Sequence, residues 1–297
     1  MKKYLVFLLT ALLLTVLAAC GTTDNEEEAE NSNTENETEE TAEENNEEEA
    51  STEKETIVVG ASSVPHAEIL EEAVPLLEEE GIELQIETYQ DYVFPNDDLE
   101  NGTLDANYFQ HIPYLETQME EKGFDFVNLG GIHFEPMGIY SKNIENLEDV
   151  QEGTVVIMSN SVSDHGRVLA LLESEGLIKL DENVDIVDAT VNDVVENPLN
   201  LEFDTDIDAG FLPEFYEREA DSLVAINTNY AIEAGLTPSE DSLVIEGSDT
   251  PYVNVIAARS EDENNEALQK LVEVLRSEEI QNFINEKYEG AVVPVSE

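Results

Sequence analysis

"TIVVGASSVPHAEILEEAVPLLEEEG", Thr56–Gly81, decides how the chain is read. Thr56–Ala61 is a short apolar run rich in β-branched residues, bounded by serines, and suits a strand buried on both faces. The linker SSVPH leads into a helical pattern over 66–80, in which Ile69, Leu70, Ala73, Val74, Leu76 and Leu77 share one face. Pro75 is expected to kink that helix and Gly81 to stop it. Strand, turn and amphipathic helix in this order make one half of a parallel crossover unit.

Working outward, the same alternation recurs. ELQIETY (83–89), LDANYF (104–109) and FDFVNLG (124–130) read as further strands, and FEPMGIYS (134–141) as a strand leaving a first lobe. A second series follows: strand GTVVIMS (153–159), helix DHGRVLALLESEG (164–176), strand NVDIVDA (183–189) and a short helix TVNDVVENP (190–198). NLEFDTDID and SLVAINTN continue it as strands with a helix between them. DSLVIEG then leads to YVNVIAARS (252–260), an apolar strand able to return to the first sheet, and two helices close the chain near 262–276 and 277–288. The class is α/β with parallel sheet. The division is 56–140 plus 248–297 for lobe 1 and 141–247 for lobe 2. A cleft between two such lobes is a favoured ligand position.

The residues before Thr56 are of a different kind. Lys2 and Lys3 precede an apolar run, Tyr4–Ala19, shorter than the roughly 20 residues of a membrane span and laid out like a secretory signal over 1–19. Cys20, the chain's one cysteine, follows Ala18-Ala19 and is either a chance residue after an ordinary signal or the acceptor of a lipid that tethers the product to a membrane. Residues 24–55 hold sixteen acids, one lysine and no aromatic residue, so 20–55 reads as a lipidated cysteine and a disordered acidic tether. From Thr56 onward 54 acids face nine lysines and arginines. That field excludes nucleic acid and anionic membrane surfaces as partners. It also suggests a saline or alkaline habitat, where counterions screen the repulsion.

No glycine-rich phosphate loop, HExxH, CxxC or GxSxG is present, and the sequence calls for no cofactor and no metal. Three constellations remain. DYVFPN (91–96) and DANYFQHIPYL (105–115) concentrate Tyr92, Phe94, Tyr108, Phe109, His111 and Tyr114. They form either a core edge or a mixed pocket, and the polar tips favour the pocket. Arg167, one of four arginines, falls at the start of the 164–176 helix, where the dipole disfavours a cation. Its counter-charge is either Asp164, also a plausible N-cap, or a ligand carboxylate gripped in bidentate fashion. Asn227 and Asn229 in INTNYA either cap a helix or meet the ligand. Together these pieces suit an α-amino acid, with rings around an apolar or thioether side chain.

The stretches PHAEIL, DYVFPN, LDANYFQHIPYL, EPMGIYSK, GRVLALLESEGLIKL, VVENPLNL, INTNYAIEAGL and DTPYVNVI, spread over nearly all of Thr56–Glu297, carry a resemblance. The chain resembles the NlpA/MetQ family, methionine-binding lipoproteins of ABC importers. The resemblance implies a two-lobed periplasmic-binding-protein-like fold of type II and a lipid-anchored receptor on the extracellular face of the cell membrane. It implies L-methionine or a close analogue as ligand, with an ABC permease and ATPase as partners. It puts the pocket on Tyr92, Phe109, His111, Tyr114, Arg167 and Asn227, with Asn229 beside them. Asp164 stands where the family pattern has an asparagine, and DTDIDAGFLPEFYEREAD departs from it as well. The alternatives are a receptor for another amino acid or short peptide, a metal-binding receptor using His66, His111 and His133, and an extracellular hydrolase.

Overall fold

The computed structural model describes residues 54–248 and 250–295; the expected signal, Cys20 and all of the acidic tether before Lys54 lie outside the described residues. In chain order the strands are β1 (Glu55–Ser62), β2 (Ile82–Tyr89), β3 (Ala106–His111), β4 (Phe126–Phe134), β5 (Gly138–Tyr140), β6 (Val155–Ser159), β7 (Lys179–Leu180), β8 (Val194–Glu196), β9 (Glu202–Ile207), β10 (Leu223–Ile226), β11 (Val244–Ile245), β12 (Val253–Arg259) and β13 (Val293–Pro294). The helices are α1 (Glu68–Glu79), α2 (Phe94–Glu100), α3 (Ile112–Lys122), α4 (Val162–Ser174), α5 (Leu212–Arg218), α6 (Thr228–Glu233), α7 (Pro238–Asp241), α8 (Glu266–Leu275) and α9 (Glu278–Tyr288).

Two mixed sheets result. The first runs β13-β4-β12-β3-β1-β2 and the second β11-β5-β10-β6-β9. β1 lies parallel between β2 and β3, with Ile57 opposite Leu84 and Gly60 opposite Asn107. β12 returns antiparallel between β3 and β4, so the first sheet is not wholly parallel as the alternation alone suggests. On α1, Ile69, Leu70, Ala73 and Leu77 are fully buried in one core with Leu268, Leu271, Leu275, Ile280 and Ile284 of α8 and α9. Each such aliphatic side chain contributes roughly 1.5–3 kcal/mol by leaving water. Pro75 does not break α1; Glu71 and Pro75 both face solvent, where water can take the carbonyl that the missing N–H leaves free.

Three expectations are corrected. FEPMGIYS is not one strand: β4 ends at Phe134, β5 begins at Gly138 in the second sheet, and 135–137 is the crossing. Residues 183–189 form no strand and 190–198 no α-helix. Asp185 accepts the N–H of Val187, and Thr190 and Asp193 close a capping box, so short polar side chains claim the backbone locally as 3₁₀ turns. Finally, α4 starts at Val162 with Ser161 before it, so Asp164 is inside the first turn rather than its N-cap and Arg167 lies a turn further on. The positive end of the α4 dipole therefore bears less on Arg167 than a place in the first turn would imply.

Candidate ligand-binding site

A cavity opens between the two sheets, and all eight expected residues line it. Tyr92, Phe109, His111 and Tyr114 come from the first-sheet side; Asp164, Arg167, Asn227 and Asn229 come from the second. The aromatic wall exists because β3, buried along its whole length, ends at His111 and turns directly into α3 through Pro113. Tyr92 and Phe109, Tyr92 and Tyr114, and Phe109 and Tyr114 have ring centroids 6.0, 6.2 and 6.0 Å apart, the last two pairs edge to face. The Tyr114 hydroxyl donates to the Tyr92 carbonyl at 2.8 Å, and the Tyr92 hydroxyl donates across the cleft to Asn229 Oδ1 at 2.6 Å. Burial pushes both phenols up, so they remain neutral donors.

Arg167 reaches the cavity from α4, where Gly166 lets the helix lie against the 186–188 turn: a Cβ there would sit 1.7 Å from the Ile186 carbonyl oxygen. Its guanidinium is already engaged. Nε donates to Glu246 Oε2 at 3.0 Å, Nη2 donates to the same oxygen, and Nη2 also donates to the Glu135 carbonyl at 2.8 Å. The ring of Tyr252 lies against it, 4.4 Å from centroid to Cζ. Glu135 and Glu246 flank the two chain crossings, so Arg167 ties both connectors to α4. The edge suited to a bidentate grip is therefore used inside the protein, and Nη1 makes no hydrogen bond among the described residues.

His111 and Asp164 meet across the cleft. Nδ1 of His111 accepts the Tyr114 N–H at 3.1 Å and so caps α3, which puts the ring proton on Nε2, 3.0 Å from Asp164 Oδ1. Asp164 Oδ2 accepts from Asn227 Nδ2 at 3.1 Å. Burial alone would raise this carboxyl, but the His111 hydrogen bond with Arg167 and Asn227 holds it below the ordinary aspartate value. Neither asparagine caps a helix through its side chain. Asn227 Oδ1 and Asn229 Nδ2 are buried without partners among the described residues: one acceptor and one donor on the cavity wall.

Sequence reasoning missed His66, Gln110, Glu135, Met137, Thr228 and Asn254 as wall residues, although several fall in stretches that carry the resemblance. The His66 and His133 Nε2 atoms lie 3.2 and 2.7 Å from Glu135 Oε1, and His66 Nε2 is 3.1 Å from Asn254 Oδ1. The Tyr108 hydroxyl pairs with His133 Nδ1. His66, His133 and Glu135 are the group that could hold a metal, at the cost of these mutual hydrogen bonds. His111 is not part of it; its Nε2 belongs to Asp164.

The profile of the NlpA lipoprotein family matches residues 57–296. The chain belongs to the NlpA lipoprotein family. Among curated relatives, the methionine-binding lipoprotein MetQ of Bacillus subtilis (strain 168) is 46% identical over 246 residues, covering 82% of this chain and 89% of that protein. The D-methionine-binding lipoprotein MetQ of Escherichia coli (strain K12) is 38% identical over 72% of this chain and 78% of its own length. Among solved structures, a nutrient-binding protein from Burkholderia cenocepacia bound to methionine superposes with a TM-score of 0.76 at 36% identity, covering 80% of this chain and 99% of that one. The architecture of this NlpA member is accordingly the two-lobed α/β binding-protein fold.

Proposed function

We propose that this NlpA protein is a solute receptor, anchored through a lipid on Cys20 to the extracellular face of the cell membrane, that binds L-methionine or a close analogue and delivers it to an ABC permease and ATPase. One observation carries the reading: an aromatic wall from one sheet faces buried, partnerless amide atoms and a cation from the other, across the cavity between them. Tyr92, Phe109 and Tyr114 take the thioether side chain, where sulfur against ring edges adds about 0.3–1.5 kcal/mol. Asn229 Nδ2 and Arg167 Nη1 are the donors for a carboxylate; Asn227 Oδ1 and Asp164 are the acceptors for an ammonium. The lobes, 56–140 with 248–297 and 141–247, with β5 joining the second, are the bodies that close on the ligand, and the Tyr92–Asn229 and His111–Asp164 contacts hold the closed form. Its relatives' names and the methionine seen in the Burkholderia structure support the same ligand. No catalytic step belongs to this reading.

A thermal-shift screen of the twenty amino acids and D-methionine tests it. Saturation near 100 Kd stabilises by about 2.7 kcal/mol, a rise of roughly 5–10 °C for a domain of this size. Methionine should give the largest rise, and Asn229→Ala should lower it. If no amino acid raises the melting temperature, the proposal is wrong.

A further inference from the structure

The charges around the cavity do not balance. Arg167 is its cation, and Glu246 neutralises it through Nε and Nη2. Glu246 is itself fixed by the Met137 N–H at 3.1 Å and by the Thr250 hydroxyl at 3.0 Å, so it is not poised to leave. Asp164 then stands as a second carboxylate, 2% exposed, with Arg167 Nη1 no nearer than 3.8 Å. The three groups that hydrogen-bond to it, His111, Asn227 and Ser159, bring no charge in this arrangement, because the His111 ring keeps its lone pair on Nδ1 for the Tyr114 N–H. Burial keeps His66 and His133 neutral, and Glu135, pushed toward its protonated form, adds no positive charge. At least one negative charge therefore remains unmatched in a buried wall, beside the partnerless acceptor Asn227 Oδ1. An unmatched buried charge is costly unless a ligand supplies the counter-charge.

We infer that Asp164 sets the net charge of the ligand head, and that the site accepts, besides free methionine, α-ammonium compounds whose carboxyl is masked as an amide or ester, such as a methionyl amide or the methionyl end of a short peptide. The inference rests on the methionine reading for the side chain and extends it at the head group. An ammonium satisfies Asp164 and Asn227 Oδ1 whatever the carboxyl carries. A free carboxylate enters beside a guanidinium that Glu246 has already neutralised, and it feels Asp164 as a like charge. Masking removes that repulsion, while an amide oxygen can still accept from Asn229 Nδ2 or Arg167 Nη1.

The test is calorimetric titration of the protein with L-methionine, L-methioninamide and N-acetyl-L-methionine at about pH 6, below the ordinary α-amino value. The wild type and Asp164→Asn are compared; should the latter melt early, Asp164→Ser carries the same comparison. The amide is expected to bind the wild type within about tenfold of methionine and to lose at least tenfold relative to methionine when Asp164 is replaced. N-acetyl-methionine, lacking the ammonium, should not bind. An amide-to-methionine ratio that the substitution leaves unchanged overturns the inference. So does an amide that fails to bind where methionine binds, or N-acetyl-methionine binding as tightly as the amide. A protein that binds none of the three overturns the methionine reading as well.

Discussion

His66 and His111 line the cavity and His133 packs against His66, yet their partners give the three rings different work. His111 caps a helix with one nitrogen and holds Asp164 with the other, whereas His66 and His133 are sealed against Glu135. Burial lowers His66 to about 4 and His133 to about 3. The unfolded chain takes up these protons near the ordinary value of about 6.5, and the folded protein only well below it. Stability from this source is therefore complete above pH 6.5 and declines as pH falls toward 4 and 3. By pH 5 each histidine alone would cost on the order of 2 kcal/mol. Glu135, raised by burial, takes its proton earlier in the folded state and offsets part of the sum. Urea unfolding at constant ionic strength is expected to lose about 2 kcal/mol between pH 7 and pH 5, and His133→Gln should flatten that slope. A curve flat over the whole interval would show that these rings are not held neutral. The residue types of the site were legible in the sequence, because clustered tyrosines, a histidine and one of only four arginines are conspicuous in an acid-rich chain. Their bonding was not: Glu246 lies 79 residues from Arg167, and only the fold brings them together.

At the scale of elements, α4 and the 186–188 turn depend on each other through one missing side chain. Gly166→Ala puts a methyl group into the Ile186 carbonyl, and backbone cannot yield as a flexible side chain does. Overpacking of this kind costs typically 1–3 kcal/mol. Here the helix must also move, and with it Asp164 and Arg167. The variant is expected to melt several degrees lower and to weaken methionine binding at least tenfold, read by calorimetry. Wild-type affinity together with wild-type melting would mean that the helix does not need this contact. Strands whose partners are long apolar runs, such as β1, β6 and β12, could be read directly from their β-branched residues. The 183–196 segment could not, since NVDIVDA has strand-like alternation while Asp185, Thr190 and Asp193 settle the backbone by capping it. Crossing points were blurred for a related reason. Glu135-Pro136-Met137 sits inside an apolar run, and Arg167, which fixes it, is remote in sequence.

For the molecule as a whole, 54 acids against nine basic residues from Thr56 onward make self-repulsion a standing cost of the compact state. Few cations are available to relieve it. Exposed pairs such as Lys179–Glu182 and Lys270–Glu273 contribute little once solvent screening is allowed for. Added salt acts in two opposed ways: it weakens those pairs, and it screens a far larger number of like-charge contacts. The screening length falls from about 10 Å at 0.1 M to about 3 Å at 1 M, so repulsion between neighbouring acids should fade over that interval. Buried Arg167–Glu246 lies beyond the reach of such screening. The second effect should win, and the melting temperature is expected to climb by several degrees between about 0.1 M and 1 M NaCl, with KCl giving the same rise. Sulfate is avoided because it strengthens apolar burial by exclusion and would mimic the result. A melting temperature that stays level or falls would refute the account of the acidic surface. Methionine, with no net charge, is not steered by that surface field, so its affinity should change less than about threefold over the same range. Methioninamide, a cation, should lose on-rate as salt rises, which separates the distant field of the surface from the local charge of Asp164.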